Sequence, residues 1–180
     1  MGAGILPVAL YRGILYLLIG QERHQNKNGE FLWCDFGGSP NKGENTPYKT
    51  ALREGQEELN GFLGIETDLK DAVDANMILS ISYDKYTTYI FNTKYNRELP
   101  EYFSNVNKFA EKYFANKIED NNSGLFEKTT IQWFPVSYFK HPKAKEIIRP
   151  HYREIINSII TKESFIIKEI KQINKSSNKD

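Results

Sequence analysis

Apolar and polar positions along the chain predict a set of β-strands. The predicted strands cover residues 3–11, 14–21, 31–36, 86–94 and 129–136. The first two are separated only by Arg12-Gly13, which indicates a tight hairpin turn. The last contains Pro135, which cannot donate a ladder hydrogen bond, so we expect this strand at a sheet edge.

Helical spacing of apolar residues predicts at least three helices. One covers residues 106–118, and an amphipathic C-terminal helix follows Pro150. A third begins after the N-cap candidate Thr46, followed by proline at the first helical position, and runs to about Leu59. Asn60-Gly61 supplies a left-handed stop. Together these elements predict an α+β sandwich, a mixed sheet with helices on its faces.

Length and composition are those of one globular domain. The chain has 180 residues, of which 39% are hydrophobic and 26% charged. We expect a single domain over residues 1–173 and a disordered polar tail over 174–180.

Net charge and cysteine content bear on the expected binding partners and cellular location. The net charge of +1 gives no general basis for nucleic acid or membrane binding. The single cysteine, Cys34, cannot form an intramolecular disulfide, which favours a reducing, cytoplasmic location. The first ten residues do not resemble a signal peptide, and no apolar run is long enough to cross a membrane. Oligomeric state cannot be read from the sequence.

The most informative segment is a glycine loop followed by an acidic helix. Gly38 opens the loop, and Glu54, Glu57 and Glu58 lie three and four residues apart on the helix. Residues at that spacing are neighbours, so three like charges repel one another. Hard divalent cations take oxygen ligands in such clusters. The sequence therefore predicts a metal site.

This segment resembles the signature of the Nudix hydrolases. The consensus is Gly, five residues, Glu, seven residues, then Arg-Glu-apolar-x-Glu-Glu-x-Gly-apolar, and the matching residues here are Gly38, Glu44, Arg53, Glu54, Glu57 and Glu58. Six specified residues at roughly 6% each coincide by chance on the order of 10⁻⁷ per starting position. The resemblance implies a Nudix-type αβα sandwich over most of the chain.

Three departures from the consensus are visible. Eight residues instead of seven precede Arg53, and we place the extra one at Asn45, in the loop before the helix. Gly55 stands at an apolar position, where close approach of helix and sheet would compensate for its poor helix propensity. Asn60 replaces a glycine, and asparagine tolerates the left-handed conformation.

The resemblance implies a role for each matched residue. Glu54, Glu57 and Glu58 would bind Mg²⁺ or Mn²⁺, together with a backbone carbonyl at Gly37 or Gly38. Glu44 would pair with Arg53 and hold the loop against the helix. Either Glu54 or Glu57 would act as general base, and a later carboxylate, Glu98 or Glu101, is a candidate additional ligand.

The function implied is metal-dependent hydrolysis of a diphosphate linkage in a nucleoside diphosphate derivative. Two alternatives share the fold. The first is hydrolysis of an mRNA cap or of a diphosphoinositol polyphosphate. The second is a nucleotide-binding regulatory module with weak or no catalysis, because fold does not fix function.

Two further residues lie next to the glycine loop in the sequence. Asp35 is expected near the metal site, and Cys34 lacks the partners of a thiol nucleophile.

Overall fold

The computed structural model describes residues 1–119 and 124–176 and contains a mixed sheet flanked by helices. The strands are β1 Gly2–Tyr11, β2 Ile14–Glu22, β3 Trp33–Cys34, β4 Phe36–Gly38, β5 Met77–Tyr83, β6 Tyr86–Asn92 and β7 Lys128–Pro135. The α-helices are α1 Pro47–Glu58, α2 Glu66–Asn76, α3 Leu99–Glu119, α4 Arg153–Thr161 and α5 Glu163–Ser176. Short 3₁₀ helices cover Val136–Lys140, Pro142–Lys145 and Pro150–Tyr152.

The sheet is organised around β1. This strand pairs antiparallel with β2 and β4 and parallel with β6, so the sheet is mixed, as predicted. Arg12 and Gly13 both have positive φ and close the predicted hairpin between β1 and β2. Within the described ranges β7 pairs only with β2, and β5 only with β6, so both are edge strands.

Alternating residues of β1 enter two separate hydrophobic clusters. Ala3, Ile5 and Ala9 pack with residues of α1, α2 and α3, whereas Leu6 and Val8 pack with α4 and α5. Successive side chains of a strand point to opposite faces, so helices cover both faces of the sheet. The predicted α+β sandwich is confirmed.

Several boundaries differ from the sequence-based expectation. The predicted strand 31–36 is two short strands, β3 and β4, separated by Asp35. The helix predicted over 106–118 begins earlier, at Leu99, and has a non-helical residue at Phe114. The C-terminal helix is divided at Lys162 into α4 and α5. Helix α2 and strand β5 had no counterpart in the prediction.

The C-terminal tail also differs. Helix α5 continues to Ser176, so residues 174–176 are helical where a disordered tail was expected. Residues 177–180 lie outside the described part of the chain. No helix within the described ranges has the length and apolarity needed to cross a bilayer.

Gly55 sets how closely α1 packs against the sheet. A Cβ atom added at Gly55 would lie 2.3 Å from Ile5 Cδ1 and 2.5 Å from Ile5 Cγ1. Only a residue without a side chain fits there, which accounts for glycine at a position where an apolar residue was expected. The short separation brings the glutamates of α1 up to strand β4.

Candidate active site

The glycine loop connects β4 to α1 and is fixed by Glu44. Glu44 Oε2 accepts hydrogen bonds from the Asn41 N–H at 2.9 Å and from Thr50 Oγ1 at 2.8 Å. Thr46 caps α1 by accepting from the Lys49 N–H at 3.3 Å. Asn45, where the extra residue was placed, lies in the loop before this cap.

Arg53 joins three carboxylates at the start of the site. Its Nε lies 2.6 Å from Glu44 Oε1, Nη2 lies 2.8 Å from Glu54 Oε1, and Nη1 lies 2.7 Å from Glu57 Oε2. Nη2 also donates to the Ser39 carbonyl at 3.0 Å. The Glu44–Arg53 pair expected from the sequence is therefore present, and it ties the loop to the helix.

Glu58 faces different partners from Glu54 and Glu57. Its Oε2 accepts from the Gly37 N–H at 2.7 Å, and its Oε1 lies 3.1 Å from Lys128 Nζ. The residue is only 3% exposed. The predicted mutual crowding of the three glutamates is replaced by an ion pair, because β7 places a buried lysine beside Glu58.

The carboxyl groups of Glu54 and Glu57 both have raised pKa values. Burial raises the pKa of both carboxyl groups, and the nearby charge of Glu127 raises them further, against the lowering effect of Arg53. Glu98, one of the two later carboxylates considered as an additional ligand, accepts from Tyr102 Oη at the start of α3. The ligand roles of Glu98 and Glu101 remain predictions.

The end of α1 explains how Glu127 reaches the site. Asn60 has φ of +50°, as its position at the left-handed stop requires. Its Oδ1 accepts from the Phe126 N–H at 2.8 Å, and its Nδ2 donates to Asn107 Oδ1 at 3.0 Å. A Cβ atom at Gly124 would lie 2.5 Å from Glu57 Oε2. The segment before β7 is therefore bound to the end of α1 and lies against Glu57.

The fit of these residues to a divalent cation is partial. Within residues 1–119 and 124–176, no three His, Cys, Asp or Glu side chains form a metal-binding group. Glu54 and Glu57 nevertheless have suitable chemistry, since both are half-buried oxygen donors that share one cation, Arg53. Glu54 also lies against the loop backbone, because a Cβ atom at Gly38 would be 2.6 Å from its Oε1. The metal-binding roles of Gly38, Glu54, Glu57 and Glu58 remain predictions.

Asp35, which was expected near the metal site, lies in a hydrogen-bond network beside the glycine loop, because its partner Tyr86 packs against Gly37. Its carboxylate is fully buried and accepts from Tyr86 Oη at 2.8 Å, Thr88 Oγ1 at 2.7 Å and Cys34 Sγ at 3.2 Å. Burial raises the pKa of the Cys34 thiol well above its ordinary value. A raised pKa disfavours the thiolate, which is the nucleophilic form of cysteine.

A cavity of about 430 Å³ opens beside the glycine loop. Gly37 and Gly38 form one side, and three basic side chains, Lys85, Arg149 and His151, contribute to the rest. None of the α1 glutamates lines it. Burial lowers the pKa of His151, so Lys85 and Arg149 are the cationic groups of this cavity, which Asp84 also lines.

Comparisons with known proteins find similarity in structure alone. No protein-family profile and no curated protein sequence matches the chain. The structure of a C. elegans Ap4A hydrolase binary complex matches with a TM-score of 0.51 and 13% identity, over 91% of this chain and 98% of that chain. A second structure of C. elegans Ap4A hydrolase gives a TM-score of 0.48 at 14% identity, over 92% and 96% of the two chains. RenU, a Nudix hydrolase from M. smegmatis, gives 0.47 at 13% identity, over 91% and 85%.

The match to the Ap4A hydrolase covers nearly all of both chains and shows that this protein has the fold of the Nudix hydrolases. The glycine loop and α1 carry the residues that matched the Nudix signature in sequence.

Proposed function

We propose that the protein is a divalent-metal-dependent hydrolase of diphosphate bonds in nucleotide-derived substrates. One observation carries the proposal: Arg53 holds Glu44, Glu54 and Glu57 together against a glycine loop on a Nudix fold. One guanidinium cannot neutralise the three carboxylates. The excess of negative charge supports binding of Mg²⁺ or Mn²⁺.

The reaction would be attack of water on phosphorus. The water oxygen bonds to one phosphorus, the bridging oxygen leaves with the other phosphoryl group, and the water proton passes to a carboxylate. A bound divalent ion would supply positive charge against the diphosphate and make the water more acidic. Either Glu54 or Glu57 would act as the base, since both carboxylates lie beside Arg53 at the glycine loop.

The other residues would position these groups. Glu44 fixes Arg53, and Arg53 in turn orients both candidate bases while the loop provides backbone beside Glu54. Substrate phosphates would enter next to the loop, where Lys85 and Arg149 lie in the adjoining cavity. Catalysis would then rest on positioning and charge stabilisation.

A substrate panel tests the proposal. It contains nucleoside triphosphates, ADP-ribose, dinucleoside polyphosphates including Ap4A, capped RNA and inositol pyrophosphates, each with Mg²⁺, with Mn²⁺ and with chelator. We expect hydrolysis of at least one nucleotide-derived member with metal and none with chelator. Absence of hydrolysis across the panel would refute the proposal. Preferential hydrolysis of capped RNA or of an inositol pyrophosphate would select one of the alternatives.

A nucleotide-binding module without catalysis is the second candidate. The observation that favours it is the ion pairing of Arg53, which occupies oxygens of both Glu54 and Glu57. Calorimetry separates the two candidates. A binding module would give only the heat of nucleotide binding and form no product. A hydrolase would release product when the metal is added.

A further inference from the structure

Lys128 is a fully buried lysine at the start of β7, next to the candidate site. Its Nζ lies 2.7 Å from Glu22 Oε1 and 3.1 Å from Glu58 Oε1. Its side chain is fully buried and lies enclosed between these two acidic residues.

The protein provides a shaped space for this side chain. A Cβ atom at Gly20 of β2 would lie 2.9 Å from Lys128 Cγ and 3.0 Å from its Cδ, so the lysine stem occupies the space over Gly20. Asn107 Nδ2 donates to the Lys128 carbonyl at 2.7 Å and fixes the backbone. Arg149 Nη1 lies 3.1 Å from Glu22 Oε1 and completes a row of alternating charges. The row runs Arg149, Glu22, Lys128, Glu58.

Both oxygens of Glu58 already have a partner, and its side chain is only 4% exposed. One oxygen is bound to the Gly37 N–H and the other to Lys128. Arg53, the cation that pairs with Glu54 and Glu57, is 24% exposed and can move into solvent when a metal ion enters. Lys128 has no such route, because its side chain is completely enclosed.

We propose that Lys128 is a positioning residue that withdraws Glu58 from metal coordination and holds it as the anchor of the Gly37 N–H, leaving Glu54 and Glu57 as the metal-binding glutamates. This inference rests on the proposed metal-dependent function. The buried ammonium of Lys128, and not a metal ion, would then neutralise Glu58, the third glutamate of the signature.

The assignment is tested by measuring Mn²⁺ affinity with calorimetry and with Mn²⁺ electron paramagnetic resonance. Three matched variants are compared with the wild type: Glu54→Gln, Glu57→Gln and Glu58→Gln. Loss of an outer-shell partner weakens metal affinity by roughly 10–100-fold, and loss of a ligand should do at least as much. We expect that fall for Glu54→Gln and Glu57→Gln. Glu58→Gln, which keeps an acceptor for Gly37, should stay within about threefold of the wild type.

Thermal unfolding without metal gives a second readout. Glu58→Gln should lower Tm, because Lys128 loses a buried counter-charge, whereas Glu54→Gln should not. Adding Lys128→Met to Glu58→Gln removes both buried charges, and this double variant should recover Tm and bind Mn²⁺ like the wild type. If Glu58→Gln does not fold, the double variant decides the question.

A measurement on the wild-type protein covers the case in which neither variant folds. The side-chain ¹⁵N resonance of Lys128 should be unchanged when Mg²⁺ is added, because its pairing with Glu58 persists. A large shift of that resonance, or a tenfold loss of Mn²⁺ affinity in a folded Glu58 variant, would overturn the assignment. If the protein hydrolyses a substrate and a folded Glu58 variant loses tenfold in Mn²⁺ affinity, only this inference is contradicted. If Mn²⁺ binds through Glu54 and Glu57 but no substrate is hydrolysed, only the proposed function is contradicted.

Discussion

Arg53 is the side chain that organises the candidate site. It contacts Glu44, Glu54 and Glu57 at distances of 2.6 to 2.8 Å and bonds to the Ser39 carbonyl of the loop. Bidentate and multiple contacts of this kind suit the planar guanidinium and not a lysine ammonium. The arginine of the signature therefore serves both the loop and the helix.

The Glu44–Arg53 pair predicts a pH-dependent stability. The hydrogen bond from Arg53 lowers the pKa of Glu44 from 4.5 to about 2. A depressed carboxyl pKa contributes stability that is complete above pH 4.5 and is lost as the pH falls toward about 2. Glu44→Gln should therefore be less stable than the wild type at neutral pH, and the difference in free energy of unfolding should shrink across that window.

Urea unfolding at a series of pH values measures this difference. A gap between Glu44→Gln and the wild type that stays constant from neutral pH into the acid range would show that the pair contributes through packing and not through charge.

Among individual residues, those within the signature could be predicted and those outside it could not. Gly38, Glu44, Arg53 and the three glutamates follow from spacing along one short segment. Glu127 and Lys128 reach the site only through tertiary structure, and Lys128 contacts Glu22 across 106 positions of sequence. Nothing in the local sequence around Lys128 marks it as buried.

Helix α1 and its packing on β1 carry the geometry of the site. Its start at Pro47 and its end near Asn60 could be predicted because Thr46 is a cap and Asn60 tolerates positive φ. What the local sequence does not contain is the second use of Asn60, whose side chain bonds to Phe126 and Asn107. A glycine would meet the backbone requirement but could not make these two bonds.

Helix α2 was missed for a physical reason. It begins at Glu66, which has positive φ, and its N-cap residue Ile65 provides no side-chain hydrogen bond. It buries only Leu69 and Val73, so its apolar pattern is weak, and β5 follows it directly at Met77 without a turn residue. Tertiary packing, not local propensity, defines this helix.

Gly55→Ala tests the contact between α1 and the sheet. Alanine adds roughly 1 kcal/mol of helix propensity but places a methyl group 2.3 Å from Ile5 Cδ1, and overpacking costs roughly 1–3 kcal/mol. We expect a net loss of free energy of unfolding in urea titrations.

Ile5→Ala provides the matched background for this test, because it removes both atoms that the new methyl group would meet. In that background Gly55→Ala should become neutral or stabilising. If Gly55→Ala stabilises both backgrounds equally, the close approach of helix and sheet does not explain the glycine.

Different helices cover the two faces of the sheet. One face is covered by α4 and α5 in an apolar cluster rich in isoleucine, and the other carries α1 with the candidate site. The strands and helices predicted along the chain were sufficient to predict a sandwich, but not which helices cover which face. A net charge of +1 fits a small anionic substrate and offers no broad basis for binding a nucleic acid.

The central claim is that the glutamates of α1 drive metal-dependent hydrolysis of a diphosphate. The most direct measurement is kcat of the wild type and of Glu57→Gln with Mg²⁺ on the substrate that the panel identifies, with Glu169→Gln, a glutamate of the C-terminal helix α5 on the opposite face of the sheet from α1, as the control. We predict that Glu57→Gln lowers kcat by at least about 100-fold, the scale of a lost general base or ligand, and that the control is unchanged. Wild-type turnover in Glu57→Gln would contradict the account.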